Sequence, residues 1–322
     1  MTSRAPAPLR FAVVSETAFT TAGRWLEHVR RIESAAVDTL LVRDHIVAEP
    51  FGPQLAPIAM LAAAAASTSR LRVGTLVLSN DYRHPALVAH EAATIDWLSG
   101  GRFELGLGAG WLRTDYDGIG LPFDGAGVRI DRLQEAIPII AALLSGDTVS
   151  RRGTHYRVES LTLPTLPVQR PRPPLLIGAG GPRMLALAGQ HADIVGILPA
   201  PIRSVDDPDD PADRTAAALT EKVDQVRRAA ADRFDSIELS MFATFIVTSQ
   251  RRRATEALIQ QRGWTGVDPA GVWAMPSVFV GSVEQIEHDL QQRRTDFGIS
   301  YFVTTDRALD TLESVLVHIT RT

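Results

Sequence analysis

The stretch Leu40-Leu41-Val42-Arg43-Asp44-His45 runs a short apolar strand straight into a carboxylate and an imidazole. Such a pair suits general acid–base work, because imidazole titrates near neutrality and a neighbouring acid orients it or balances its charge. The competing reading is structural: an Asp at a strand-to-helix junction commonly caps the helix, beside an ordinary half-buried His. Two glycine-rich strand ends accompany the pair. Gly106-Leu107-Gly108-Ala109-Gly110-Trp111 offers a wall on which a flat ligand can approach the backbone, with Trp111 at its border. Ile177-Gly178-Ala179-Gly180-Gly181-Pro182 passes from strand into helix, where backbone N–H groups and the helix dipole favour a phosphate, with Arg183 adjacent. Each run also reads as a plain tight turn. The second does not carry the spacing of the dinucleotide fingerprint.

Positioning these groups requires an alternating chain of strands and helices, and the pattern supplies one. Strands are expected at Leu9–Val14, Thr39–Asp44, Leu71–Leu78, Arg102–Gly108, Leu175–Gly178, Asp193–Leu198, within Ile237–Thr248 and at Ile299–Thr304. Helices are expected at Gly23–Ala36, Pro57–Ala66, from His84-Pro85 to Leu98, and at Arg129–Leu144, Pro182–His191, Ala216–Arg233, Arg252–Arg262, Val283–Arg294 and Leu309–Ile319. Such alternation gives parallel βαβ units, hence a closed (β/α)8 barrel or an open doubly wound sheet. Strand starts at 9, 39, 71 and 102 recur about every 30 residues, which favours the α/β barrel. In a barrel, chemistry sits at the C-terminal strand ends, and all three motifs lie there. The expected organisation is a single barrel domain over 1–322, with a hairpin and extended connector inserted at 147–174. A polar, Pro-rich rim loop at 200–214 is either a lid or a solvated linker.

Composition removes several chemistries. The chain has no cysteine, which excludes disulfides, thiolate metal sites and cysteine nucleophiles. Lys222 is its only lysine and sits in a polar helical stretch, which argues against a Schiff-base mechanism. A formal net charge of −4 lacks the basic footprint of a nucleic-acid binder. No run approaches the ~20 apolar residues of a membrane span, and no signal peptide is evident, so a cytoplasmic protein is expected. No His-x-His closes the first strand, so no metal site is expected. Glu16 and Asp44 are the evident rim acids. His84 and His90 read as helix residues, and His28, His288 and His318 as remote from the rim. A His beside an acid, a glycine wall and a phosphate turn together suggest a planar cofactor bearing a phosphate.

The chain resembles the luciferase-like flavin and deazaflavin barrel superfamily, and within it the actinobacterial F420-dependent branch. The resemblance rests on Val42-Arg43-Asp44-His45, Val73–Leu78, Tyr82-Arg83-His84-Pro85, Arg102–Trp111 with Asp115-Tyr116, Pro173–Pro182 and His191-Ala192-Asp193, in order along nearly the whole chain. It implies coenzyme F420, with FMN as the alternative, at the C-terminal rim. It implies a non-proline cis peptide in a bulge of the third strand, by position Leu76–Val77, supporting the ring from behind. By the same resemblance Asp44 hydrogen-bonds the deazaflavin, and His45 shuttles a proton at the substrate. Gly108, Ala109 and Gly110 wall the ring, with Trp111 at the substrate, and the turn of Gly178, Ala179, Gly180 and Gly181 holds the phosphate. The second and third helices form a homodimer face. Trp111 stands where sugar-phosphate dehydrogenases of the family carry Glu, which counts against that substrate.

The expected function is F420-dependent hydride transfer to or from a small organic substrate. The rivals are a two-component FMN monooxygenase on the same barrel and, from another class, a non-catalytic flavin-binding protein.

Overall fold

A computed structural model describes residues 7–202 and 209–319. Eight strands form the barrel: β1 Arg10–Val14, β2 Thr39–Val42, β3 Arg72–Thr75, β4 Phe103–Gly108, β5 Leu175–Ala179, β6 Ile194–Ile197, β7 Glu238–Phe242 and β8 Ile299–Thr305. They are parallel and adjacent in chain order, and β8 lies against β1. The barrel closes where Val73 and Gly74 of β3 pair with Phe103 and Glu104 of β4. Strands covered on both faces are apolar almost throughout, as Phe11-Ala12-Val13-Val14 illustrates. Outward residues pack under the helices, while Ala12, Val14, Leu41, Leu176, Ile194, Tyr301 and Val303 fill the inside.

The helices are α1 Ala22–Ser34, α2 Pro57–Ser67, α3 Pro85–Ser99, α4 Arg113–Ile119, α5 Ala126–Ser145, α6 Pro182–His191, α7 Ala216–Ala230, α8 Arg251–Arg262, α9 Pro269–Ala274, α10 Val283–Phe297 and α11 Leu309–Ile319. Their ends follow local chemistry. Thr21 caps α1 by accepting from Arg24 N, and Trp25, Val29 and Ile32 form its buried stripe. Ser282 and Gln285 form a reciprocal capping box at α10. Among the described residues, no helix is long and apolar enough to cross a membrane.

The N-terminal end of the barrel is plugged by charge. Glu104, 1% exposed, accepts from Arg10, from Arg72 Nε at 2.6 Å and from the Tyr301 hydroxyl at 3.0 Å. Arg10 also binds Glu238 at 2.6 Å and lies over the Tyr301 ring. Burial opposes ionisation of Glu104, yet Arg10 and Arg72 hold its carboxyl below the ordinary range.

Three departures from the sequence reading stand out. The expected third strand, Leu71–Leu78, is two pieces, with Leu78–Ser79 pairing separately to β4. The run Ile237–Thr248 leaves the barrel midway: Ala243 N still donates to Val303 O, but Thr244 N donates to Ser277 O. Residues Thr244–Val247 then pair with Val278–Gly281 outside the barrel, over a separate small core that includes Trp264, Val272 and Met275. Helices α4 and α9 were not foreseen, being too short to show a period. At 147–174 the expected hairpin is present as Val149–Arg152 against Arg157–Leu161. Of the 200–214 loop, residues 203–208 lie outside the described residues. Its end is tied down, since Asp209 binds Arg214 at 2.6 Å and Arg262 at 3.1 Å.

Candidate active site

The site begins with a fault in the sheet. From Gly74 to Leu78 β3 advances four residues, while its partner advances three, from Glu104 to Leu107. The extra residue makes a bulge, and the peptide between Leu76 and Val77 is cis. Thr75 mends the broken ladder: its hydroxyl donates to Gly106 O and accepts from Gly106 N, both at 2.8 Å. Leu76 and Val77, half-buried, cap the inner cluster together with Phe242. Beneath the bulge β4 must be thin. A Cβ on Gly108 would lie 2.6 Å from Val77 Cγ2. Beside it, a Cβ on Gly178 would meet only Val77 Cγ1, at 3.9 Å. The result is a flat apolar shelf at the C-terminal rim.

Asp44 stands just past the end of β2 and is buried. Its Oδ2 accepts from Ser79 N at 3.0 Å and Arg83 Nη1 at 2.6 Å, and its Oδ1 from Arg83 Nη2 at 3.1 Å. Both oxygens therefore engage the chain beyond the bulge. Arg83 also approaches Glu91, at 3.7 Å; burial raises the Glu91 pKa.

His45 has a partner that the sequence reading did not assign. Its Nδ1 lies 2.7 Å from Asp115 Oδ2. Asp115 is fully buried on α4, and its Oδ1 accepts from Ile46 N at 2.8 Å and Val47 N at 2.9 Å. The imidazole thus meets a buried carboxylate through its Nδ1 edge. Two aromatic rings frame the imidazole: Phe51 at 4.9 Å, inclined by 30°, and Trp111 edge-on at 5.7 Å. Trp111 is thus brought to His45, as expected of a rim residue. Arg43, stacked over Phe51 and bonded to Glu16 at 2.6 Å, braces the outer side.

Behind Trp111, Gly110 takes φ +75°, and Tyr116 packs so closely that a side chain there is excluded. Burial pushes the Tyr116 phenol up to about 12, so it stays protonated and donates to Asp81 at 3.2 Å. The inserted hairpin joins this wall, because Asn80 Nδ2 donates to the Tyr156 hydroxyl at 2.9 Å. His155 stays on the α5 side, its backbone N–H donating to Glu135.

The Gly178-Ala179-Gly180-Gly181 run ends β5 and enters α6 at Pro182, with no side-chain cap at Gly181. The first-turn N–H groups thus have no side-chain cap, and Ala200 and Pro201 pack against Gly180 and Gly181. Arg183 turns away, to Gly127 O at 3.0 Å and to Asp131. Three other expectations are adjusted. His28 is not remote from the rim: its Nε2 lies 3.0 Å from Asp306 Oδ2, just past β8. Asp306 also accepts from Glu16 N and Thr17 N, a buried rim acid that follows the strand rather than ending it. Lys222 is half-buried rather than on a solvated face, and lines a cleft with Arg214 and Ser277 at the ends of β6 and β7. Among the described residues no cluster of His, Asp and Glu is arranged to hold a metal.

Comparison with known proteins places this architecture. A family model described as luciferase-like monooxygenase matches residues 7–301. An F420-dependent glucose-6-phosphate dehydrogenase of Beutenbergia cavernae is 38% identical over 169 residues, 50% of this chain and 48% of the relative. A 4-hydroxyprotoasukamycin monooxygenase of Streptomyces nodosus subsp. asukaensis is 35% identical over 189 residues, 57% of this chain and 50% of the relative. The chain thus spans about half the length of the curated relatives it matches. In fold it is similar to the coenzyme F420 dependent tetrahydromethanopterin reductase from Methanopyrus kandleri, with a TM-score of 0.73 at 19% identity over 97% of this chain and 99% of the other. The family match runs from before β1 into β8 and so covers nearly all of the barrel, and the chain therefore belongs to the luciferase-like monooxygenase family.

Proposed function

We propose that this protein is an F420-dependent oxidoreductase acting on a small organic substrate at the barrel mouth. The observation that carries the reading is the shelf of Leu76, Val77, Gly108 and Gly178 at the same C-terminal rim as His45, an imidazole held through Nδ1 by the buried Asp115. The shelf fits a flat tricyclic ring, because side chains are absent where the ring needs room and apolar where it needs support. The uncapped start of α6 fits the cofactor's phosphate. When bound, F420 supplies or receives the hydride. In this reading Leu76 and Val77 support the ring from behind, and Gly108, Ala109 and Gly110 wall it. Beyond Gly178, which lies on the shelf, the turn of Ala179, Gly180 and Gly181 holds the phosphate through backbone N–H groups. Asp44, expected from the resemblance to hydrogen-bond the deazaflavin, spends both oxygens on Ser79 N and Arg83 and is read here as orienting the bulge. His45 Nε2 gives or takes the substrate's proton, and Trp111 and Phe51 exclude water around it.

The relatives divide over the chemistry: one is named an F420-dependent dehydrogenase and another a monooxygenase. The second supports the reading of an FMN monooxygenase on the same barrel. The test is an equilibrium titration of the purified protein with F420 and FMN in parallel. Selective F420 binding is expected. Selective FMN binding transfers the reading to the monooxygenase, and binding of neither removes the cofactor assignment. The proposal includes a cytoplasmic location, with which the cysteine-free composition agrees. It also includes a homodimer through α2 and α3, supported by the exposed Leu87 and Trp97 on α3.

A further inference from the structure

We infer that Asp115 is the positioning residue that sets the tautomer of His45 and so decides which ring nitrogen handles the substrate's proton. Its catalytic meaning rests on the function proposed above, whereas the tautomer itself is a property of the free protein. The argument lies in how the two oxygens of Asp115 are divided. Oδ1 is fixed by two backbone donors, Ile46 N at 2.8 Å and Val47 N at 2.9 Å. Those donors come from the residues that directly follow His45, so the loop after β2 folds around this one carboxylate. Oδ2 is thereby aimed at His45 Nδ1, 2.7 Å away. The carboxylate is fully buried, so water does not compete for either oxygen. Acceptor-only chemistry at Oδ2 requires a proton on Nδ1. Nε2 is then unprotonated in the neutral ring and serves as the base.

The arrangement makes an isosteric test unusually sharp. In Asp115→Asn the two backbone N–H groups still demand an oxygen, so the amide oxygen takes the Oδ1 place. The NH2 group then faces Nδ1, which must become an acceptor, and the ring proton moves to Nε2. The neutral ring loses its base while shape and burial are kept. In Asp115→Glu an acceptor is restored at Nδ1.

The experiment is two-bond proton–nitrogen correlation NMR of protein labelled with 15N-histidine, at a pH where the imidazoles are neutral. The eight histidines give a tractable spectrum, and His45 is assigned by its loss in His45→Gln. The expected result is the Nδ1–H form in the wild type and in Asp115→Glu, and the Nε2–H form in Asp115→Asn. An Nδ1–H form retained in Asp115→Asn, or an Nε2–H form in the wild type, overturns the inference. F420 titration of the same wild-type sample judges the cofactor reading separately. With a substrate that the wild type turns over, Asp115→Asn is expected to lower kcat on the order of 10²- to 10⁴-fold and leave KM nearly unchanged. A loss confined to KM would contradict the assigned role.

Discussion

Asp44 and His45 are neighbours in sequence that serve different masters. Asp44 reaches Arg83 and Ser79 on the chain after β3, while His45 reaches Asp115 on α4. The sequence shows the pair, because a strand that runs into an acid and an imidazole is visible in one dimension. It does not show the division of labour, because Asp115 lies 70 residues on, in a seven-residue polar helix with little periodicity. Glu104 escaped notice for a related reason: a lone acid inside Phe103-Glu104-Leu105-Gly106-Leu107-Gly108 looks like an interruption, and only closure of the barrel gives it two arginines and a tyrosine. A prediction follows for Asp44. Asp44→Asn removes the charge from a bidentate pair and leaves Arg83, itself 20% exposed, without its main partner. The expected cost is about 2–3 kcal/mol, below the ~3–5 kcal/mol of a fully buried pair because Arg83 retains some solvent. Urea denaturation measures it, and an unchanged midpoint would show that the pair contributes no net stability.

Among the elements, the interrupted β3 determines what the rim can hold. The bulge takes one residue out of the ladder, and the two backbone groups left on Gly106 are both met by the Thr75 hydroxyl. Thr75→Val keeps the shape and removes the hydroxyl, leaving a buried N–H and a buried C=O without partners. Each costs about 1–3 kcal/mol, so a loss of roughly 2–6 kcal/mol is expected, with weaker F420 binding because the shelf above loosens. Thermal unfolding and the cofactor titration together check this; full stability with intact binding would remove Thr75 from the account. The order of the eight barrel strands and of the longer helices was legible, because continuous apolar runs and 3.6-residue periods are visible within a single element. The exit of the chain from the barrel at Ala243 was not legible, because Phe242-Ala243-Thr244-Phe245 is a continuous strand-like run whichever sheet it joins. Resemblance to a family, rather than periodicity, pointed to Leu76–Val77, since nothing in an apolar strand announces a cis bond.

At the scale of the whole molecule, the charged plug and the glycine-lined mouth occupy opposite ends of one cylinder. Glu104→Gln leaves Arg10 and Arg72, 21% and 27% exposed, facing a neutral amide, with an expected loss of about 2–3 kcal/mol, again below that of a fully buried pair. The pH dependence has a definite sign. The Glu104 pKa is lower in the fold than its ordinary 4.5, so the unfolded chain binds the proton more readily. Its contribution is complete above about pH 4.5 and is lost as pH falls through the lower folded value. Glu238, whose pKa burial raises, shifts the other way. The acid limb of the stability curve is therefore expected to be steeper in the wild type than in Glu104→Gln, as denaturant titrations from pH 3 to 7 would reveal; parallel limbs would count against a shifted Glu104.

The plug has a consequence for traffic. The ionic lattice at the floor and the packed apolar interior above it leave the C-terminal mouth as the end at which the barrel can receive a ligand. Whatever settles deepest on the Leu76–Val77 shelf arrives first and departs last, and any later visitor stands in its doorway. If the proposed cofactor lies on the shelf, a two-substrate reaction at this mouth is expected to be ordered, cofactor on first and off last, and product-inhibition patterns would check it.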